Sequence, residues 1–208
     1  MPIINYATRE VTAKIVYYGP GRSGKTTNLQ HIHATVPDDL KGSIVSLATQ
    51  GDRTLFFDYL PVDLGKISGY RTRIQLYTVP GQVYYDATRK LVLHGADGVV
   101  FVADSRLEQR ADNIESFRNL QENLLDQGAD PRSTPICLQY NKRDLPDAVA
   151  ISELERTLNF RDVPSFEAAA VAGVGVFETL EAITHLVLTR LAQSLDGPSA
   201  APMVTHGA

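Results

Sequence analysis

Apolar and polar positions alternate in short blocks along most of the chain. Val11 to Tyr18 reads Val-Thr-Ala-Lys-Ile-Val-Tyr-Tyr, a strand pattern; a glycine-rich turn follows, then a helical stretch from about Lys25 to Val36 that Pro37 closes. Tyr70 to Leu76 alternates strictly and predicts a strand over 70–78, with an apolar helix over about 84–93 behind it. Val99-Val100-Phe101-Val102, inside the segment 97–104, is continuously apolar, as in a strand buried on both faces. Apolar residues at 107, 111, 114, 117, 120 and 124 predict a helix over about 107–127, with Gly128 as its C-cap. A strand over 135–140 comes next. A short helix opened by Ser152, with Glu155 completing a capping box, then leads to a strand over 164–170 and a last helix over about 175–195. Residues 38–69 are less regular. The run 42–48 suggests a strand, but Gly51, Pro61, Gly65 and Gly69 interrupt the pattern.

Strands alternating with helices predict an α/β fold of three layers, a mostly parallel central sheet with helices on both faces. In such folds ligands sit beyond the carboxyl ends of the strands, so chemistry is sought in the loops there. A length of 208 residues suits one domain, expected over 1–195. The segment 196–208, rich in Pro, Ala and Gly, is expected to be disordered.

Composition changes this picture mainly by exclusion. The net charge of −4, with both signs interspersed, leaves no basic stripe for nucleic acid. The single cysteine, Cys137, lies in an apolar run and reads as a small buried hydrophobe in a reducing compartment. The first residues carry charges and no apolar signal region, Pro2 excludes N-myristoylation, and the last residues contain no prenylation cysteine. No apolar run reaches the roughly 18 residues of a spanning helix. A cytoplasmic protein without membrane insertion is expected.

The candidate chemistry lies where the topology puts it. Gly19-Pro20-Gly21-Arg22-Ser23-Gly24-Lys25-Thr26 matches the phosphate-binding pattern G-x-x-x-x-G-K-[ST], directly after a strand and before a helix. Gly24 allows backbone N–H groups to close around phosphates, Lys25 neutralises the β and γ oxygens, and Thr26 offers a hydroxyl to Mg²⁺. Arg22 is expected to face solvent beside the phosphates. Asn141-Lys142-Arg143-Asp144 follows a later strand. Guanine presents two donors that an ionised Asp144 can accept together, a pair that adenine lacks. Asn141 would tie the neighbouring loops, and the Lys142 stem would cover the base. Alone this segment is a charged solvent loop; combined with the phosphate loop it points to a guanine nucleotide. Ala168-Ala169-Ala170 ends the next strand, where the Ala170 N–H is expected to reach the guanine O6. His31 and His33, two apart on a helix, make no metal pair.

These loops resemble those of the Ras-like small GTPases over nearly the whole chain before the tail. The longer runs 14–21, 52–58, 77–82, 139–146 and 173–177 are similar to the bacterial MglA family of gliding motility and cell polarity. The resemblance implies a P-loop GTPase fold and a Mg²⁺-dependent GTP/GDP switch, monomeric alone and recruited to a cell pole with GTP bound. It also implies a roadblock-type, MglB-like activating protein, with polarity or motility effectors contacting the switch segments. Gln82, in Thr78-Val79-Pro80-Gly81-Gln82, falls where the superfamily's glutamine orients the attacking water, and the Gly81 N–H would meet a γ-phosphate oxygen. Thr78 stands where most Ras-like proteins have a Mg²⁺-linked aspartate. Thr54 is the candidate switch threonine for the metal, together with Thr26. Arg53 matches a family arginine implicated as an intrinsic finger; the alternative is a surface ion pair with Asp52 or Asp58. The expected nucleotide contacts are Gly19, Gly21, Arg22, Ser23, Gly24, Lys25, Thr26, Thr27, Thr78, Gly81, Asn141, Lys142, Asp144, Ala169 and Ala170, with Gln82 and Arg53 as the chemistry. The absent aspartate keeps a second reading open, a nucleotide-loaded scaffold with little hydrolysis of its own. An ATP-using P-loop kinase is a third, disfavoured by Asn141 and Asp144.

Overall fold

The computed structural model describes residues 3–47, 57–67, 69–82 and 85–196. In chain order the strands are β1 (Ile3–Asn5), β2 (Glu10–Tyr18), β3 (Val45–Leu47), β4 (Phe57–Ile67), β5 (Tyr70–Thr78), β6 (Gly98–Asp104), β7 (Ile136–Asn141) and β8 (Ser165–Glu167). The helices are α1 (Lys25–Thr35), α2 (Asp86–Leu93), α3 (Arg110–Asp126), α4 (Ile151–Leu158) and α5 (Val176–Asp196). The sheet runs β3-β4-β5-β2-β6-β7-β8, with β1 added antiparallel to the start of β2. From β5 to β8 every pairing is parallel; β3, β4 and β5 pair antiparallel. The three-layer, mostly parallel architecture expected from the alternation is the one observed.

The two helical layers are written in the period of the central strands. Ala13, Ile15 and Tyr17 of β2, with Val100 and Val102 of β6, face Leu29 and Ile32 of α1 and Val176, Leu180, Ile183 and Val187 of α5. Val16, Tyr18, Val99 and Phe101 face the other way, against Val92 and Leu93 of α2, Phe117, Leu120 and Leu124 of α3, and Leu154 and Leu158 of α4. Alternate side chains of one strand point to opposite faces, so a continuously apolar run serves both layers. Cys137 is buried in the first layer, where burial pushes its thiol up to about 12; it is a packing residue.

Two expectations need correction. The stretch read as irregular holds an eleven-residue strand, β4, antiparallel to β5. Pro61 is tolerated because β3 covers only Phe57–Tyr59 of β4, so its position is close to an open edge, where the Pro61 carbonyl accepts from the Gly42 N–H at 3.0 Å. Gly65 lies in a register shift between Asp63 and Lys66, and Gly69 precedes β5, so neither ends the pairing. The expected capping box of α4 is absent as well: the helix starts after Ala150 with no side-chain cap. Glu155 instead accepts from Ser165 Oγ at 2.5 Å and Asn159 Nδ2 at 2.7 Å, tying the helix to β8. Among the described residues no helix is long and apolar enough to cross a membrane.

Candidate functional site

The phosphate loop leaves β2 at Tyr18 and becomes α1 at Lys25. Gly24 caps the helix with φ 102°, and a Cβ there would lie 2.1 Å from Asn141 Nδ2, so only glycine lets the two loops meet. The Lys25 side chain is buried, and its Nζ donates to the carbonyls of Gly19 at 2.9 Å and Pro20 at 2.6 Å. Burial, then the charge of Arg89, push its ammonium down to about 7, against the pull of Asp58. A buried amine whose hydrogen bonds among the described residues go to carbonyl oxygens is a ready partner for an anion. Arg22 is exposed, as expected, and Ser23 is buried.

The base-side loops are joined by one side chain. Asn141 Nδ2 donates to the Ser23 carbonyl at 2.8 Å, and Asn141 Oδ1 accepts the Ala170 N–H at 2.9 Å. The Arg143 N–H donates to the Ala168 carbonyl at 2.9 Å, closing the same seam, and Ala169 pairs with Val174 beneath it. The Ala170 N–H, expected to face the guanine O6, donates to Asn141 in this structure, where the small side chains let the two loops pack together. Lys142 Nζ forms an ion pair of 2.7 Å with the fully buried Asp104, whose carboxyl is held below its ordinary range despite burial by hydrogen bonds from Arg106 and Lys142. Arg22, Gly24, Thr27, Asn141, Lys142, Asp144 and Ala170 line one cavity of about 230 Å³.

A second cavity of about 250 Å³ lies on the other side of Arg22, lined also by Lys25, Thr26, Ser46, Asp58, Thr78 and Gly81. Here hydroxyls converge on a carboxylate. Thr26 Oγ1 and Thr78 Oγ1 donate to Asp58 Oδ2 at 2.7 and 2.9 Å, and Ser46 Oγ donates to Asp58 Oδ1 at 2.7 Å. The Asp58 N–H returns a bond to Thr78 Oγ1 at 2.9 Å. Gly81 lies against the phosphate loop so closely that a Cβ would fall 2.3 Å from the Gly21 nitrogen. A Cβ on Gly21 would stand 4.0 Å from Gln82 Cγ, so the glutamine and the phosphate loop are neighbours. Arg53 and Thr54 lie outside the described residues.

Sequence reasoning missed two residues of this site. Asp58 could not be placed while the register of β4 was unknown; its signal was a carboxylate beside the end of β5. Arg89 is buried on α2, where it donates to the Gln82 carbonyl at 2.6 Å, to Asn119 Oδ1 at 2.8 Å and to Asp86 Oδ1 at 3.2 Å. Burial would raise the Asp86 carboxyl, but hydrogen bonds from Asn119, Asn123 and Lys90 and the Arg89 charge hold it at about 2. The Asp86–Arg89 spacing of one helical turn was its sequence signal.

Known proteins agree with this arrangement. The profile of the ADP-ribosylation factor family matches residues 3–187. The mutual gliding-motility protein MglA of Myxococcus xanthus is 57% identical over 191 residues, covering 92% of this chain and 98% of its own. ADP-ribosylation factor-like protein 4D of Homo sapiens is 25% identical over 182 residues, 85% of this chain and 83% of its own. With this sheet order, a profile match over residues 3–187 and a relative 57% identical over 92% of the chain, the protein belongs to the ADP-ribosylation factor family of small GTPases, which bind guanine nucleotide and hydrolyse GTP.

Proposed function

We propose that this GTPase is a slow switch of bacterial cell polarity or motility, turned over by an activating partner. The observation that carries the reading is the single groove formed by three strand-end loops, with Asn141 joining the base side to the phosphate loop. Asp144 lines the base cavity, where its carboxylate can accept both donors of guanine. Lys25, released from the Gly19 and Pro20 carbonyls, meets the β and γ oxygens. Gln82 orients the water that attacks the γ-phosphorus as the bond to the bridging oxygen breaks, giving GDP and phosphate.

The side chains hydrogen-bonded around Thr26, those of Asp58, Ser46 and Thr78, offer oxygen, which suits a hard divalent cation. Mg²⁺ would be held by Thr26 and Thr54, and would neutralise charge developing on the phosphate oxygens. Phe57, Tyr59 and Tyr77 form an aromatic row near this end, with ring centroids 6.0 and 4.9 Å from Tyr77. Such a row, beside segments whose order depends on the γ-phosphate, suits a roadblock-type, MglB-like activator and polarity or motility effectors. The GTP-bound form is the one recruited to a cell pole.

The test is single-turnover hydrolysis at saturating activator. An arginine on the γ-phosphoryl group is worth roughly 10³–10⁵ in rate, about 4–7 kcal/mol of barrier. Arg53→Ala is expected to lose most of the stimulated rate while keeping GTP and the activator, and Gln82→Leu to do the same. A loss below tenfold for Arg53→Ala removes it from the chemistry.

A further inference from the structure

We propose that Asp58, on β4, is the carboxylate that supports the divalent cation of this site, acting through the Thr26 hydroxyl and held in place by Thr78. The inference rests on the guanine-nucleotide reading above and deepens it. A hydroxyl that gives a lone pair to a cation still carries its proton and needs an acceptor pointing away from the metal. Thr26 has one: Oγ1 donates to Asp58 Oδ2 at 2.7 Å. The other oxygen of the carboxylate is held by Ser46 at 2.7 Å. Thr78 grips Asp58 at two points, accepting its N–H and donating to its Oδ2, each at 2.9 Å. This double grip answers the question raised by a threonine at the end of β5. The carboxylate has moved one strand over, and the threonine orients it.

Charge separates this reading from a merely structural hydroxyl cluster. An asparagine could also accept hydrogen bonds here, but the chain places an acid in the cavity that Lys25 lines. Phosphate oxygens entering that cavity would be repelled by a carboxylate unless a cation stood between them. Among the described residues no group of three or more His, Cys, Asp or Glu could hold a metal alone. Among the described residues the cation therefore depends on Thr26 and on the negative charge of Asp58 behind it, together with the nucleotide's own oxygens. This is the usual economy of Mg²⁺ at phosphates, where one or two carboxylates suffice. Asp58 is a positioning residue: it fixes the ligand's proton and orientation as an outer-shell partner.

The experiment reads metal affinity rather than turnover. The full chain is loaded with a fluorescent methylanthraniloyl-GDP, and its release rate is followed as free Mg²⁺ is raised from micromolar to millimolar. In Asp58→Asn the Mg²⁺ concentration that half-suppresses release is expected to rise about 10- to 100-fold, with release in chelator unchanged from wild type. Asp58→Asn combined with Thr78→Asp, which returns a carboxylate to β5, is expected to recover most of that loss. Thr78→Val, which keeps the carboxylate but removes its grip, carries the same test at smaller amplitude should Asp58→Asn fold poorly. A midpoint unchanged in Asp58→Asn overturns the assignment and leaves the cluster as a link between β4, β5 and α1. A wild-type chain that holds no guanine nucleotide overturns the proposed function itself, a result the Mg²⁺ titration of a loaded protein cannot be mistaken for.

Discussion

The two ends of the groove are built differently. At the base end, polar groups of the protein are spent on one another: Asn141 is buried and bonded to both neighbouring loops, and Lys142 is paired with buried Asp104. At the phosphate end hydroxyls from three separate elements, Thr26, Ser46 and Thr78, meet on the one carboxylate of Asp58, with Thr26 exposed and Asp58 half-buried. The base end stands on parallel strands buried on both faces, whereas Asp58 stands on β4, in the antiparallel part of the sheet between β3 and β5. On the proposed function, a preformed base site would read nucleotide identity in every state. A site assembled from separate elements can report whether the γ-phosphate is present.

The largest expected effect on binding strikes the seam where the base end meets the phosphate loop. Asn141→Ala leaves the Ser23 carbonyl and the Ala170 N–H without their partner, costing about 2–4 kcal/mol of stability where these loops meet, and nucleotide affinity is expected to fall with the order of the loops. Equilibrium titration is expected to show the same loss for GDP and GTP; a loss confined to GTP would break the comparison. At the other end, Gly21→Val pushes its branch toward Gln82 Cγ and Gly81, both 4.0 Å from the Cβ position. Single-turnover hydrolysis is expected to fall by about 10², the scale of a 1 Å misplacement, with GDP affinity retained. The smallest effect sharpens the boundary of the phosphate end. Arg89→Ala releases the Gln82 carbonyl, and the hydrolysis rate at saturating GTP is expected to fall about tenfold without a matching change in GDP affinity.

The same contrast governs what the sequence made legible. The strands of the base end carry their burial in an unbroken apolar run such as 99–102, so the fold could be located there, and their loops carry short motifs at fixed offsets from a strand end, which is what made a site readable as an expectation. At the phosphate end only the local pieces were readable: Gly24-Lys25-Thr26 after β2 and Gly81-Gln82 after β5. The hydroxyl cluster on Asp58 depends on which residue of β4 faces Thr78, a register fixed by an antiparallel pairing that Pro61 and Gly65 disguise. Arg89 was hidden differently. Its helix was correctly expected, but a buried guanidinium among Asp86, Asn119 and the Gln82 carbonyl requires α2 and α3 to be packed first. The bond from the Ala170 N–H to Asn141 was hidden for the same reason, since the two residues are 29 apart in the chain.

The most direct test of the separation between reading and chemistry is single-turnover hydrolysis of xanthosine triphosphate by Asp144→Asn. Xanthine presents an acceptor where guanine has its 2-amino donor, so the asparagine amide restores the complementarity that the substitution removes for GTP. The base end is then rewritten without touching Lys25, Thr26, Asp58 or Gln82. The account predicts weakened GTP binding, tight xanthosine triphosphate binding, and a saturated hydrolysis rate about equal to that of the wild-type chain with GTP. Unchanged GTP affinity would remove Asp144 as the base reader, and a collapsed rate at saturating xanthosine triphosphate would contradict the independence of the two ends.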